Sequence, residues 1–162
     1  MAEERGRQAS IEGFANEHIV VGILMKRYQN VSLVDLPLST YDIIIVSKDT
    51  SGRETIIRAQ VKTARGSVSF TGGTRGGVDR TYKSGVKSYR QTTATSDVVI
   101  GLHPLDNGSY GLYFVPTILV EALGQGSISL SRISALKDNY EILERCMDRE
   151  FVVRRCRAFG LL

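Results

Sequence analysis

Three polar residues in the first half of the sequence have the types and spacing to bind a cation together. Asp42 stands at the head of an apolar run, and Gln60 and Lys62 stand in a second run, with 17 residues between Asp42 and Gln60. Carboxylate and amide oxygens are ligands for hard cations, and a lysine ammonium beside them can stabilise negative charge. The alternative for Asp42 and Lys62 is a simple salt bridge that only holds the chain together.

The two runs are predicted to form a β-hairpin. Residues 41–47 and 53–63 are rich in β-branched side chains. Between them, residues 48–52 (KDTSG) combine Asp, Ser and Gly, which favour turns. Two strands joined by such a short turn pair in the antiparallel direction.

This hairpin is expected to bring the three polar side chains onto one face. With the turn centred near Thr50–Ser51, the numbers of cross-strand partners sum to about 101–102. Asp42 then lies opposite Ala59 or Gln60, with Cβ atoms roughly 5 Å apart. Lys62 is two residues beyond Gln60 and therefore projects from the same face. A buried sheet holds such groups only when each of them has a partner.

A further acidic residue, Glu17, lies on the apolar face of a predicted helix. Residues 8–28 show helical periodicity, with an apolar stripe formed by Phe14, Val21, Leu24 and Tyr28. Glu17 falls at helical spacings from this stripe and is therefore expected to face the core. An acid in that place, next to a sheet that offers Asp42, favours a metal site. The alternative is a glutamate at the helix edge that reaches solvent.

The remaining pattern indicates an α/β (mixed α+β) protein with a central mixed β-sheet and flanking helices. Further strands are predicted at 31–36, 96–103 and 109–116. Helices are predicted at 84–93, 116–123 and 135–147, and a closing strand or extended tail at 151–159. No linker or internal repeat divides the sequence, so residues 1–162 are expected to form one domain.

A basic, glycine-rich segment lies in the middle of the chain. Between residues 58 and 90 there are eight Lys and Arg against one acid, Asp79, although the whole chain has a net charge of only +4. This distribution is typical of a protein that binds a polyanion; the alternative is a solvated basic face. Residues 64–80 are expected to be a flexible loop, or a ribbon that orders on its partner. The cations expected to contact phosphates are Arg65, Arg75, Arg80, Lys83, Lys87 and Arg90.

Composition and spacing exclude several kinds of site and location. The N-terminal residues are polar and no apolar run could span a membrane, so an intracellular, cytoplasmic protein is expected. Cys146 and Cys156 fit neither a metal-binding pattern nor a disulfide framework. His18 and His103 are too few and too far apart for a zinc site. Tyr89, within the basic segment, is expected to be a packing residue.

Asp42, the hairpin and the triplet Gln60-Val61-Lys62 resemble the PD-(D/E)XK nuclease motif in its D…QxK variant. The helix with Glu17 resembles the part of that family which supplies an additional acidic residue. The resemblance is greatest to small homing or restriction endonucleases, and it implies a restriction-endonuclease-like core with the order αβββαβ. It also implies a cofactor, Mg²⁺ or Mn²⁺, held by Asp42, Gln60 and Glu17, with Lys62 as the fourth catalytic residue.

The resemblance implies hydrolysis of a phosphodiester bond, in which Lys62 orients or deprotonates the attacking water. Two residues depart from the family's pattern. Gln60 stands where an acid is usual, so it would contribute a carbonyl oxygen and no negative charge. Tyr41 stands where the motif has proline. The resemblance implies that Gln60 is tolerated, because active members with glutamine at this place exist.

The sequence therefore predicts a site-specific endonuclease of double-stranded DNA. Because one domain carries one active site and two strands have to be cut, a homodimer or a higher symmetric homo-oligomer is expected. The nearest alternative is a Holliday-junction resolvase, which would share the site. A second alternative is a non-catalytic DNA-binding module with a nuclease-like fold, which Gln60 favours. A third is an interaction protein whose basic segment meets an acidic partner.

Overall fold

The computed structural model describes residues 2–36, 39–73 and 88–162. In these ranges a five-stranded sheet forms the centre of the fold, with two short two-stranded ribbons and several helices around it. The strands are β1 (Asn30–Leu33), β2 (Ile43–Lys48), β3 (Glu54–Thr63), β4 (Ser67–Ser69), β5 (Thr71–Gly73), β6 (Ser88–Arg90), β7 (Val98–Pro104), β8 (Tyr110–Pro116) and β9 (Ser127–Ser129). The α-helices are α1 (Ala2–Met25), α2 (Thr117–Leu123), α3 (Tyr140–Glu144) and α4 (Arg149–Ala158), with a 3-10 turn at Ser134–Leu136.

The central sheet is mixed, with the strand order β1-β2-β3-β7-β8. Strands β3 and β7 pair in parallel, and the other neighbours pair antiparallel. The first five residues of β7 are all buried, which suits a strand covered on both faces. The predicted fold class, a mixed α/β protein with flanking helices, is confirmed.

The predicted hairpin forms with the predicted register. Ile43 pairs with Ala59 and Lys48 pairs with Glu54, so the numbers of paired residues sum to 102. Asp49 stabilises the turn, because its Oδ1 accepts hydrogen bonds from the backbone N–H groups of neighbouring turn residues, at 2.8 and 3.0 Å. Gly52 has a φ of 80°, a left-handed conformation that favours glycine.

Helix α1 lies against the end of β3. Asn16 donates a hydrogen bond from Nδ2 to Oγ1 of Thr63 at 2.6 Å. Side chains alternate along a strand, so Thr63 and the buried Val61 share one face of β3. Gln60 and Lys62 project from the opposite face. Val61 thus contributes to the hydrophobic core on one face of β3, and the polar residues of the hairpin lie on the other face.

Arg58 and Asp97 hold the start of the parallel strand pair together. Arg58 donates from Nη2 to Oδ1 of Asp97 at 2.8 Å and from Nε to Oδ2 at 3.1 Å. The Asp97 side chain is only 9% exposed, so its charge is balanced inside the fold. The hydrogen bond with Asp97 raises the pKa of Arg58 against the opposing effect of burial. Arg58 therefore serves the fold, although it lies in the basic stretch of the sequence.

The prediction for residues 151–159 is wrong, because residues 151–158 lie in helix α4, with Phe159 as its C-cap, and not in a strand or an extended tail. Asp148 caps this helix: its Oδ1 accepts a hydrogen bond from the backbone N–H of Phe151 at 3.0 Å. Phe151, Val152 and Cys156 are buried. The run Phe-Val-Val favours a strand when read alone, but the cap and the following arginines, which are good helix formers, favour a helix.

Two other predicted helices differ from the structure. The helix predicted at 84–93 is wrong for the part that the structure describes, since β6 lies there and pairs antiparallel with β5. The helix predicted at 135–147 is broken. Asp138 has a left-handed φ of 50°, which separates the 3-10 turn from α3, and the side chain of Asn139 then caps α3. The helix predicted at 116–123 is confirmed as α2.

Some predictions for the whole chain remain open or fall outside these ranges. That residues 1–162 form one domain stays a prediction. Of the glycine-rich segment at 64–80, residues 64–73 contain β4 and β5, and residues 74–80 lie outside the described residues. Within the described ranges, no helix is long and apolar enough to cross a membrane.

Candidate active site

Asp42 lies immediately before β2, and its carboxylate contacts the neighbouring strand β3. Its Oδ2 accepts one hydrogen bond from Nε2 of Gln60 at 2.6 Å and another from the backbone N–H of Val61 at 2.7 Å. The backbone N–H of Asp42 donates to the carbonyl oxygen of Ala59 at 2.9 Å. The predicted contact between Asp42 and Gln60 across the hairpin is therefore present. Both bonds are accepted by one oxygen, Oδ2, of a carboxylate that has about four acceptor positions on its two oxygens.

Gln60 is buried, with 9% of its surface exposed, and both ends of its amide are hydrogen-bonded. Its Nε2 faces Asp42, and its Oε1 accepts a hydrogen bond from Nε2 of Gln91 at 3.0 Å. This orientation differs from the one that a metal-ligating carbonyl requires, because the oxygen faces Gln91 and not Asp42. The physical reason is that a carboxylate oxygen accepts hydrogen bonds, and of the two ends of an amide only the N–H end donates them.

Gln91 is fully buried and extends the hydrogen-bonded chain into the protein. Its Oε1 accepts hydrogen bonds from Oγ1 of Thr95 at 2.6 Å and from Oγ of Ser96 at 2.9 Å. Its backbone N–H donates to the carbonyl oxygen of Phe70 at 2.7 Å, and its Nε2 also approaches the carbonyl oxygen of Thr40 at 3.4 Å. Gln91 is not among the site residues predicted from the sequence. The sequence around it, a glutamine followed by several hydroxyl residues, does not by itself indicate that its side chain bonds to Gln60.

Lys62 and Glu17 lie at the same end of the hairpin. Lys62 is two residues beyond Gln60 on the same face of β3, and it is partly buried. Glu17 is also partly buried, and it follows Asn16, whose side chain is bonded to Thr63 at the end of β3. The roles of Lys62 and Glu17 in catalysis stay predictions.

The predicted ligands are compatible with Mg²⁺. This ion takes one or two protein carboxylates and keeps several waters, and the predicted set contains two carboxylates, those of Asp42 and Glu17. In the part of the chain that the structure describes, three or more His, Cys, Asp and Glu side chains nowhere gather in a group that could hold a metal ion. The predicted cofactor, Mg²⁺ or Mn²⁺, stays a prediction.

Tyr89 stands beside this hydrogen-bonded chain. It pairs with Gly72 across β5 and β6, and its ring lies so close that a Cβ added to Gly72 would be 2.6 Å from the ring carbon Cζ. Burial raises the pKa of the Tyr89 phenol, a hydrogen bond with Gln91 opposes this, and the charge of Asp42 adds to it. The residue packs on the ribbon, as predicted, and it also places a hydroxyl group near Gln91 and Asp42.

An open groove of about 510 Å³ begins where β3 ends. It is lined by three hydroxyl groups, one cation, one acid and a glycine: Thr63, Ser67, Ser69, Arg65, Glu12 and Gly66. The Arg65 side chain is 79% exposed and forms a loose ion pair with Glu12 at 3.7 Å. Arg90 is also exposed, at the end of β6. The other cations predicted to contact DNA lie outside the described residues: Arg75, Arg80, Lys83 and Lys87.

The fold is similar to that of a solved bacterial homing endonuclease, I-Ssp6803I. The match has a TM-score of 0.61 and covers 84% of this chain and 93% of the other, at 12% sequence identity. The sequence matches no family model and no curated protein. At this level of identity the likeness shows a shared fold, and assignment to the PD-(D/E)XK family stays a prediction.

Substitution of Gly72 by alanine is expected to displace Tyr89 from the site. The new Cβ cannot be accommodated 2.6 Å from the ring, so the ring must move toward water. We expect the pKa of the Tyr89 phenol to fall toward its ordinary value and the free energy of unfolding to drop by about 1–3 kcal/mol. The measurements are a ¹³C NMR titration of Tyr89 Cζ and urea unfolding.

The matched control is Gly66→Ala, since a Cβ at Gly66 would meet nothing within 4 Å. This variant should leave both quantities unchanged. Equal stability of the two variants, with the same Tyr89 pKa, would contradict the placement of the ring on Gly72.

Proposed function

We propose that this protein is a metal-dependent endonuclease that hydrolyses phosphodiester bonds in double-stranded DNA at specific sites. The observation that carries the proposal is the contact of the Asp42 carboxylate with Gln60 and Val61 on a strand that also presents Lys62. The fold shared with a homing endonuclease supports the same conclusion. A hairpin that served structure alone could be closed at this place by apolar side chains, without the desolvation of a carboxylate and an amide.

The proposed ligands of the cation are Asp42 and Glu17, with the carbonyl oxygen of Gln60 after rotation of its amide. When bound, Mg²⁺ would neutralise charge on the scissile phosphate and lower the pKa of the attacking water. The Asp42 carboxylate, which the hydrogen bonds from Gln60 and Val61 hold in place, would orient that water or the phosphate. Lys62 would hold the phosphate oxygen on which negative charge develops, or accept a proton from the water.

DNA would contact the candidate site and, around the end of β3, the groove that begins at Thr63 on the opposite face of that strand. Arg65 offers an exposed guanidinium there, and the hydroxyl groups of Thr63, Ser67 and Ser69 can donate hydrogen bonds to phosphate oxygens. Cleavage of both strands needs two such sites related by a two-fold axis. The proposal therefore includes a homodimer or a higher symmetric homo-oligomer.

A second candidate function is a DNA-binding module that keeps the nuclease fold without catalysis. The orientation of the Gln60 amide favours it, because an N–H group and not a carbonyl oxygen faces Asp42. Such a module would bind DNA with the same salt dependence and would leave it intact in the presence of Mg²⁺. Cleavage assays separate the two functions.

Asp42→Asn and Lys62→Gln are each expected to reduce DNA cleavage by at least about 10³-fold, because each removes a charge that acts on the reacting phosphate or its cation. The assay is incubation with Mg²⁺ or Mn²⁺ and a plasmid library of random inserts, followed by sequencing of the ends. Four-way junctions in a parallel reaction test for resolvase activity. DNA affinity in EDTA should change little.

The controls for these variants are Asp35→Asn and Lys48→Gln, which neutralise the same charges at exposed positions. They should cleave like the wild type. Wild-type cleavage by either site variant would refute the assignment of that residue, and intact DNA with the wild-type protein would favour the binding module.

Arg65→Ala is expected to weaken DNA binding and to lower the slope of log affinity against log salt by about 1, because one phosphate contact is lost. Glu12→Gln should act in the opposite direction, since it releases Arg65 from its ion pair. Binding is measured in EDTA by fluorescence anisotropy over a range of salt concentrations.

Arg53→Ala is the matched control for Arg65→Ala. Arg53 is exposed and lies just before β3, roughly 35 Å from Arg65 along the strand. The same loss of charge at that end should leave the salt slope unchanged. Equal effects of both variants would show that net charge, and not the groove, determines DNA binding.

A further inference from the structure

We infer that Gln91 is a positioning residue that determines which end of the Gln60 amide faces Asp42. Gln60 and Gln91 form a relay of two amides with two hydrogen-bonded states, and both amides rotate when Asp42 binds a divalent cation. This inference rests on the proposed function, because it supplies the step that turns Gln60 into a ligand.

In the structure all donors of the relay point toward Asp42. Gln60 donates to Asp42 at 2.6 Å, Gln91 donates to Gln60 at 3.0 Å, and the hydroxyl of Thr95 donates to Gln91 at 2.6 Å. Ser96 donates to the same oxygen of Gln91 at 2.9 Å. In this state the amide hydrogens of Gln60 point at the carboxylate oxygen, so Gln60 offers no lone pair to a cation there.

The opposite state satisfies both amides and the hydroxyl groups, and it loses only the long contact of Gln91 Nε2 with the carbonyl oxygen of Thr40, at 3.4 Å. If the Gln60 amide rotates by half a turn, its Oε1 faces Asp42 and its Nε2 faces Gln91. Gln91 then has to rotate as well and present its Oε1, because two N–H groups facing each other would both lose their acceptors. Its Nε2 then meets the hydroxyls of Thr95 and Ser96, which accept hydrogen bonds as readily as they donate them.

The hydroxyl end of the chain makes the reversal possible. Besides its bond to Gln91, the Thr95 hydroxyl lies 2.9 Å from the carbonyl oxygen of Thr92, to which it can donate in the reversed state. A charged group or a backbone N–H at this end would permit only one direction. Gln91 itself is fully buried, and its backbone N–H donates to Phe70, which holds the backbone in place in both states.

A buried structural amide would have the same contacts but no reason to rotate, and NMR distinguishes the two cases. The full chain, labelled with ¹⁵N and free of DNA, is titrated with Mg²⁺. The side-chain NH₂ resonances of Gln60 and Gln91 are expected to shift together with one midpoint, along with the backbone N–H of Val61. In Asp42→Asn all three shifts should be lost.

The variant Gln91→Glu tests the direction of the relay. Burial favours the neutral glutamate, which can donate to Gln60 as Gln91 does, so the variant is studied over a range of pH. Once ionised, the glutamate has acceptors only and competes with Asp42 for Nε2 of Gln60, so the Gln60 NH₂ resonances of the metal-free variant are expected to move, as pH rises, toward the position that the wild type reaches at saturating Mg²⁺. A Gln91→Glu resonance that stays at the metal-free wild-type position at every pH would overturn the inference.

The outcomes of the wild-type titration separate this inference from the proposed function. If Val61 and Gln60 respond to Mg²⁺ while the NH₂ of Gln91 stays in place, a cation site exists and the relay is wrong. If Val61 responds and neither amide moves, Asp42 binds the cation without Gln60, and the relay is again wrong. If none of the three responds, both the cation site and the relay are refuted.

Discussion

The contact of the Asp42 carboxylate with Gln60 and the backbone of Val61 is the interaction on which the rest of the structure depends. A hairpin that slips by one residue turns every side chain to the other face of the sheet. The carboxylate contacts this strand next to Ala59 and Val61, whose side chains are buried in the core. The same register places Gln60 and Lys62 on the opposite face. The hydrophobic core and the candidate active site therefore both depend on the register in which β2 pairs with β3.

The candidate site is built from the hairpin and a second, distant part of the chain. The ribbon of β5 and β6 brings Gln91 to Gln60 and packs Tyr89 over Gly72. Buried amides are costly unless each polar atom has a partner, and here the partners form a continuous chain that ends in hydroxyl groups. The hydrogen bonds of such a chain can run in either of two directions. The contacts that stabilise the site are therefore also the ones that would change in the proposed binding of a cation.

The hairpin and its register could be predicted from the sequence because they depend on neighbouring residues: alternation along two strands and the turn chemistry around Asp49 and Gly52. Gln91 could not, since its partner Gln60 lies 31 residues away and only the folded ribbon brings them together. Likewise, the charge of Arg58 is indistinguishable in sequence from that of a DNA contact until Asp97 is found beside it. The last helix differs from the strand or extended tail predicted there, because the three apolar residues 151–153 favour a strand and the cap at Asp148 is recognisable only when the helix is known.

The central claim is that Asp42 and Gln60 hold a divalent cation, and anomalous diffraction from crystals soaked in Mn²⁺ tests it most directly. The account predicts an anomalous peak at about 2 Å from an oxygen of Asp42 and from Oε1 of Gln60, with the Gln60 amide reversed. A Mn²⁺ peak at another place, with Gln60 Nε2 still bonded to Asp42, would contradict it.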